Sequence, residues 1–498
     1  MGRPVAFVAL LAVAVVLSGA CSPHNTASPD ATTTSTGDGG VDPNDGARSG
    51  TRLKLTYYAF SDGTTQWFGL YDSERKENCN PFDGTWPDGN TYCVPDWNGS
   101  VVYSDMGCTK PEVDEYVGST CANTNQRYVL DQSYDACSEE YLPTHLYIVG
   151  AANNGSAYYV KNFDGSCSTQ ITVDTNFEKL YAISSEVSTS ELVQLQMSAP
   201  AGDAMVGVRS WTSPDGAALP TLLHDATNNV DCTPEYYGDS AATASCAPTG
   251  AFDAFLDHDM SCKQPALDVT TTCAAPPYAY TFPSGDSCPS DLASYHPVGS
   301  KLASPTLFEP IGTSCSTETA STGVSYYSVG TAIPLAQLQR TPDTDGNHRI
   351  QLIHYGDGAS LHFRDPTYLY DSQEKAVCVP EQLADGTTRC VPTNSIGVTT
   401  GFFFSDAMCT KPIDVVDIYT GPATCAPPTL PAYVRKYLAT TGCTANFELH
   451  QLTTQVSTLY YESGTTCTKY LPSEEVLYGV GPAISTSDFV TAAITIDN

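Results

Sequence analysis

The chain is poor in charge, and poorest in positive charge. Lys and Arg number 22 against 55 Asp and Glu, so only 15% of residues are charged and the net charge is −33. A surface of that sign repels nucleic acid and anionic lipid headgroups, so neither is expected as a partner. Histidine is scarce at nine, and no C-x-x-C pair occurs, which removes the usual makings of a zinc site. There is no H-E-x-x-H, no G-x-S-x-G and no phosphate-cradling Gly-rich loop. No catalytic residue, cofactor or metal ligand is therefore singled out. The nearest histidine cluster, His348, His354 and His362, spans strands without metal-ligand spacing. After the first twenty residues no apolar run approaches the length of a membrane span.

Cysteine and tyrosine, in contrast, are plentiful, at 19 and 30, with 38 Gly and 34 Pro. Tyr with Gly and Pro favours strands joined by tight turns. Eighteen cysteines fall in three matched sets of six, which reads as disulfides formed in an oxidising space. Cys21 is left over. It follows Arg3, an apolar run from Val5 to Leu17, and S-G-A at 18–20. That stretch resembles a bacterial lipoprotein signal, which implies cleavage before Cys21 and a lipid on its thiol. The match departs from the usual pattern at Ser18, where a Leu is typical, and ordinary secretion with cleavage near Ala20 is the alternative. Residues 1–21 are then the signal with its lipidated Cys. Residues 22–50, rich in Ser, Thr, Asp and Gly, read as a disordered tether.

Three repeats follow, at 51–199, 200–345 and 346–498. The match is in spacing as well as type: Asp72 to Cys79, Asp225 to Cys232 and Asp371 to Cys378 are each seven apart. Asp105, Asp259 and Asp406 each precede the third Cys of their repeat by three. Such position-matched features mark an internal duplication. Each repeat opens with an alternating strand and an Asp-Gly turn, at 62–63, 215–216 and 357–358, which is a hairpin signal. The segments 188–197 and 487–496 are read as strands. A repeat of this length fits two four-stranded blades. The fold class expected is all-β and disulfide-stapled, three repeats closing into a six-bladed β-propeller-like ring. Closure requires the opening strand near Leu53 to pair with the closing strand near Ile494, which would remove two exposed edges.

The first two cysteines of each repeat flank a turn, so Cys79–Cys93, Cys232–Cys246 and Cys378–Cys390 are the expected bridges. The same reasoning, with less force, pairs the third with the fourth: Cys108–Cys121, Cys262–Cys273 and Cys409–Cys425. It also pairs the fifth with the sixth: Cys137–Cys167, Cys288–Cys315 and Cys443–Cys467.

The acids that recur three times invite a catalytic reading, but a catalytic pair is needed once. Short Asp side chains beside turns more often accept backbone N–H bonds. S-D-G-T-T-Q-W at 61–67 is a near miss to the Asp-box of sialidase-type propellers. D-T-D-G-N at 343–347 starts like a calcium loop but lacks the closing Glu, and reads as an inter-repeat turn. Trp86 and Trp97 sit in a Pro/Gly/Asn-rich loop of repeat one, where they could stack on a sugar ring or anchor a protein; plugging the seam where the ring closes is the structural alternative.

As a whole the chain resembles Cys-patterned repeat lipoproteins of bacterial cell surfaces. That resemblance implies a place in the bacterial envelope, at the outer membrane or cell surface, and no particular activity. The expectation is an exported protein held to the membrane by its lipid alone. It would act in recognition of a glycan or protein, or as a surface scaffold. A glycan-active hydrolase using acidic residues is the alternative.

Overall fold

The computed structural model describes residues 45–497 apart from 83, 117–126, 139, 163–164, 176–177, 202–204, 237–241, 283–292, 304, 312–313, 344–347, 359–360, 384, 420–429, 439–446, 464–465 and 472–474. Three groups of five strands carry the architecture. Repeat one supplies β1 (Leu53–Phe60), β2 (Thr65–Asp72), β3 (Glu77–Pro81), β4 (Thr91–Pro95) and β5 (Val193–Met197). Repeat two supplies β6 (Val206–Thr212), β7 (Ala218–Asp225), β8 (Val230–Glu235), β9 (Thr243–Pro248) and β10 (Gln337–Pro342). Repeat three supplies β11 (Ile350–Gly356), β12 (Phe363–Asp371), β13 (Ala376–Gln382), β14 (Thr388–Pro392) and β15 (Thr491–Ile496).

These fifteen strands form one closed circuit in chain order. The ends meet as the edge argument requires: β1 lies antiparallel to β15 with Tyr58 opposite Ile494, and β15 returns to β14 with Ala492 opposite Thr388. Closure leaves no free edge on this sheet. The Asp-Gly turns form as predicted at the first hairpin of repeats one and two, while that of repeat three includes residues 359–360, outside the described residues. Gly63 and Gly216 take φ of +99° and +100°, a region open to glycine without a Cβ clash.

Six blades do not form. The last strand of each repeat does not finish a second blade. It leaves the second half of its repeat, pairs with the fourth strand, and hands the sheet on to the next repeat: β5 bonds both β4 and β6, and β10 bonds both β9 and β11. The rest of each second half becomes a separate outer sheet inserted between the fourth and fifth strands. The first such sheet runs in the order Ser100–Tyr103, Pro111–Tyr116, Glu178–Val187, Glu140–Asn153, Tyr128–Asp135. The other two have eight strands each among the described residues. The segment 188–197 is a strand only in part, since a one-turn 3-10 helix at Thr189–Glu191, with a Ser188/Glu191 capping box, precedes β5.

Three apolar clusters line the fifteen-strand ring, and each spans a joint. One gathers Leu53, Leu55, Trp67, Leu70, Val193 and Leu195 of repeat one with Ala217 and Leu219 of repeat two. The next gathers Val206, Leu223 and Leu338 with Tyr355, Leu361 and Phe363 of repeat three. The last gathers Ile350, Leu369 and Val490 with Phe60 of repeat one. Alternation along β1 sends Leu53 and Leu55 inward to zero exposure. Each repeat thus lends its first hairpin to its neighbour's core. That hairpin also caps the neighbour: the Asp215 carboxylate accepts the N–H groups of Arg52 (2.6 Å) and Leu53 (2.8 Å), and Asp62 accepts that of Ile350 (2.7 Å).

Seven disulfides are present among the described residues. The three hairpin bridges, Cys79–Cys93, Cys232–Cys246 and Cys378–Cys390, lie inside the three cores. The remaining expectations are corrected. The third cysteine joins the sixth: Cys108–Cys167, Cys262–Cys315 and Cys409–Cys467. This rules out Cys108–Cys121, Cys409–Cys425, Cys288–Cys315 and Cys443–Cys467. Cys137 joins Cys273, which excludes both Cys137–Cys167 and Cys262–Cys273 and links repeat one to repeat two. Proximity in sequence misled here, because each outer sheet folds its last hairpin back over its first turn. Cys121, Cys288, Cys425 and Cys443 lie outside the described residues, as does Cys21.

Candidate functional site

The acids that recur in each repeat build turns. Asp72 accepts the N–H groups of Glu74 and Arg75, Asp225 those of Thr227 and Asn228, and Asp371 those of Gln373 and Glu374. Arg52 and Arg349 clamp Asp72 and Asp371 from the side. Asp105, Asp259 and Asp406 cap the loop that carries the third Cys. The hydroxyl of Ser261 and the N–H groups of Lys263 and Gln264 hold Asp259 down to about 2.

Trp86 is not a ligand platform. Only 4% exposed, it packs edge-on to Tyr92 and against Tyr128, Leu130 and Leu146, in the joint between β4 and the first outer sheet. Trp97 is half-buried against Phe82 in the same cluster. A Pro/Gly-rich loop suggested exposure, but both rings are used to dock that sheet on the ring. The seam they fill is this joint, away from the β1–β15 closure.

What breaks the threefold pattern is elsewhere. The last residues of the supposed tether are ordered as a strap across the ring. Ala47 is 3% exposed within the first core. Arg48 pairs with Ala218 of repeat two, and the Ser49 hydroxyl donates to Asp497. Asp45 reaches repeat three. Its Oδ2 lies 2.9 Å from His354 Nε2 and 2.9 Å from Arg364 Nε, and its Oδ1 lies 2.8 Å from His362 Nδ1. The two imidazoles stack, ring centroids 3.9 Å apart. On its other side, His354 Nδ1 lies 2.9 Å from Asp343 Oδ1. Burial acts to raise the Asp45 carboxyl, but the bonds from His354 and His362 and the charge of Arg364 outweigh it and hold the group below the usual carboxylate range.

The repeat-three hairpin makes this cluster possible. The connection between its strands covers residues 357–362, longer than the Ser-Asp-Gly-Thr of repeat one, and brings Leu361 and His362 over repeat two. Beneath the strap lies an open cavity of about 450 Å³. Asp45, Arg48 and His362 line one side; Ser198, Ser210 and Thr212 offer hydroxyls; Val206, Val208 and Ala218 give an apolar floor. Of the three histidines noted in the sequence, the fold brings together His354 and His362. His348 is occupied at the Asp62 carbonyl, 2.7 Å away. Asp45 carries no signal in sequence beyond the Asp-Gly pair in which it sits.

Residues 32–489 match a family described as Family of unknown function (DUF7481). The chain belongs to this family. No curated protein and no solved structure matches it. The span that matches DUF7481 takes in the strap with Asp45, both histidines, repeats one and two, and repeat three as far as residue 489, and begins after Cys21. In this DUF7481 chain the seven disulfides indicate an oxidising compartment. Among the described residues no helix is long and apolar enough to cross a membrane.

Proposed function

We propose that this chain is an exported binding protein of the bacterial envelope that takes a small polar ligand, of sugar size, in the cavity beneath the strap. One observation carries the reading: the cavity occupies the single joint of the ring, between repeats two and three, that differs from the other two. A ring built for stiffness alone has no need of such an exception. The lining favours the same reading, since hydroxyls, one guanidinium and one imidazole face a small apolar floor. A few convergent polar groups over apolar surface fix the orientation of a small ligand, and the volume lies at the lower end of the range for such sites. Lipid anchorage through Cys21 fits this role, because the tether would lead directly into the strap.

The test is a thermal-shift screen of the protein with mono- and disaccharides, followed by calorimetry on the hits. At least one sugar is expected to stabilise the wild type and not S210W, whose indole would fill the cavity. A screen without a hit, or hits that bind S210W equally well, would refute the reading.

A further inference from the structure

We infer that Asp45, His354 and His362 bind a divalent transition-metal ion, with zinc the best fit. Each residue offers one ligand atom, and the three atoms lie within 4.8 Å of one another. Two imidazoles and one carboxylate suit zinc, cobalt, nickel or copper, and suit calcium and magnesium poorly, because those ions take oxygen.

Three features argue for a built site over a chance meeting of polar groups. First, Asp343 sits 2.9 Å from His354 Nδ1. The contact is one of charge and proximity, without an aligned hydrogen bond at Nδ1, and an outer carboxylate beside a ligating imidazole raises its basicity. Second, Arg364 donates from Nε to Asp45 Oδ2, as partners of ligating carboxylates do. Its charge lowers affinity, but it fixes the carboxylate. Third, the cluster is graded in exposure. The side chains of Asp45 and His354 are 3% and 5% exposed, while that of His362 is 44% exposed and borders the cavity. The buried pair is preorganised, and the open side gives the ion an entry path and a coordination position for water.

The nitrogens stand 2.8–2.9 Å from the carboxylate oxygens. Zinc bonds of about 2.0–2.1 Å in a tetrahedron place ligand atoms ~3.3 Å apart, so the group must open by roughly half an ångström. His362 is on an exposed turn and can supply that movement. The surrounding charge favours entry, since the chain carries −33. Because Asp45 comes from the strap and the histidines from repeat three, the ion would pin the strap across the ring. The inference is independent of whether the cavity takes a sugar.

The test titrates the full chain, stripped with EDTA, with Zn²⁺ alone against a fluorescent chelator, and repeats it with Co²⁺ to read the visible absorption of a four-coordinate ion. One saturable site is expected. D45N and H362A should weaken it by about 100-fold or more, and D343N by about 10–100-fold. H348A, outside the cluster, should leave it unchanged. H354Q risks the fold because its side chain is buried; H362A does not, and its result stands alone. No saturable Zn²⁺ site in the wild type, equal affinity in H362A, or equally tight binding of Ca²⁺ would overturn the assignment.

Discussion

Replacing Cys137 and Cys273 together by serine should cost more stability than removing any hairpin bridge. The pair closes 136 residues of chain, whereas Cys79 and Cys93 close 14. Loop-closure entropy grows with the logarithm of that separation, giving about 5 kcal/mol for the long bridge and about 3 kcal/mol for the short one. The measurement is denaturant unfolding of C137S/C273S and of C79S/C93S, followed by tryptophan fluorescence. A larger loss for the short bridge would show that packing of the buried hairpin sulfurs outweighs chain entropy, and the argument would fail.

Chemistry gives a sharper check of the same bond. Cyanogen bromide cuts after methionine, and the six methionines stand at 1, 106, 197, 205, 260 and 408. Without reductant, the Cys137–Cys273 bond must hold fragment 107–197 to fragment 261–408, while 206–260, whose two cysteines pair with each other, runs free. Pairing within each repeat would instead release 107–197 alone. The bond joins the fifth cysteine of one repeat to the fourth of the next, and the same register in sequence assigns Cys288 to Cys425 and Cys443 to Cys121. Fragment 409–498 should then travel with the other two. Its release as a free peptide would limit the inter-repeat link to repeats one and two.

Three further outcomes are expected. D114N should raise the melting temperature at pH 7.5 and leave it unchanged near pH 3.5. Burial and the charge of Glu178 push Asp114 up to about 6, so this one group's contribution is fully present below the ordinary aspartate range and is lost as pH rises through 6. Two units would be about 3 kcal/mol, and partial exposure reduces this to roughly 1–2 kcal/mol. G50A should destabilise by roughly 1–3 kcal/mol, read by denaturation midpoint, because a Cβ there would lie 2.3 Å from Asp215 Oδ2 and 2.7 Å from the Ala217 nitrogen, inside the cap that holds β1. W86A should cost about 3–5 kcal/mol and increase proteolysis within the first outer sheet, leaving sugar and metal binding unaltered.

The parts of this fold that were legible in the sequence are local and repeated. Asp62-Gly63 and Asp215-Gly216 announce hairpins because the turn needs those residues whatever surrounds it. Asp72 and Asp105 read as turn acceptors because each recurs in register with its cysteine. The closure of β1 on β15 followed from counting unpaired edges. What could not be read was the exchange between repeats. Val193 and Leu195 alternate as strand residues should, yet nothing in their pattern says that they join β4 to β6 instead of completing a second blade. The pairing of Cys108 with Cys167 likewise depends on how an outer sheet folds back, which is a tertiary fact. Asp45 shows the same limit at the candidate site: its partners are 309 and 317 residues away, and the segment that carries it has the composition of a tether.

Duplication also explains where the site had to be. A feature present in all three repeats is under the geometric demands of all three joints, so the recurring acids are committed to turns and caps. Freedom to bind something exists where one copy departs from the others. Repeat three departs by a longer turn between β11 and β12. At the other two joints the hairpin aspartate, Asp62 or Asp215, grips the neighbour's first strand. At the third, the Asp357 carboxylate accepts the Leu361 N–H of its own turn, and the strap crosses beside it with Asp45. Shortening residues 357–362 to the four-residue turn of repeat one therefore makes a decisive variant. The ring should still close, with all seven described disulfides formed, because its edges do not need the extra residues and the second core gives up Leu361 alone. The variant should lose Zn²⁺ binding with His362 and lose the cavity wall with Leu361. A shortened protein that kept both activities would place function outside this joint altogether.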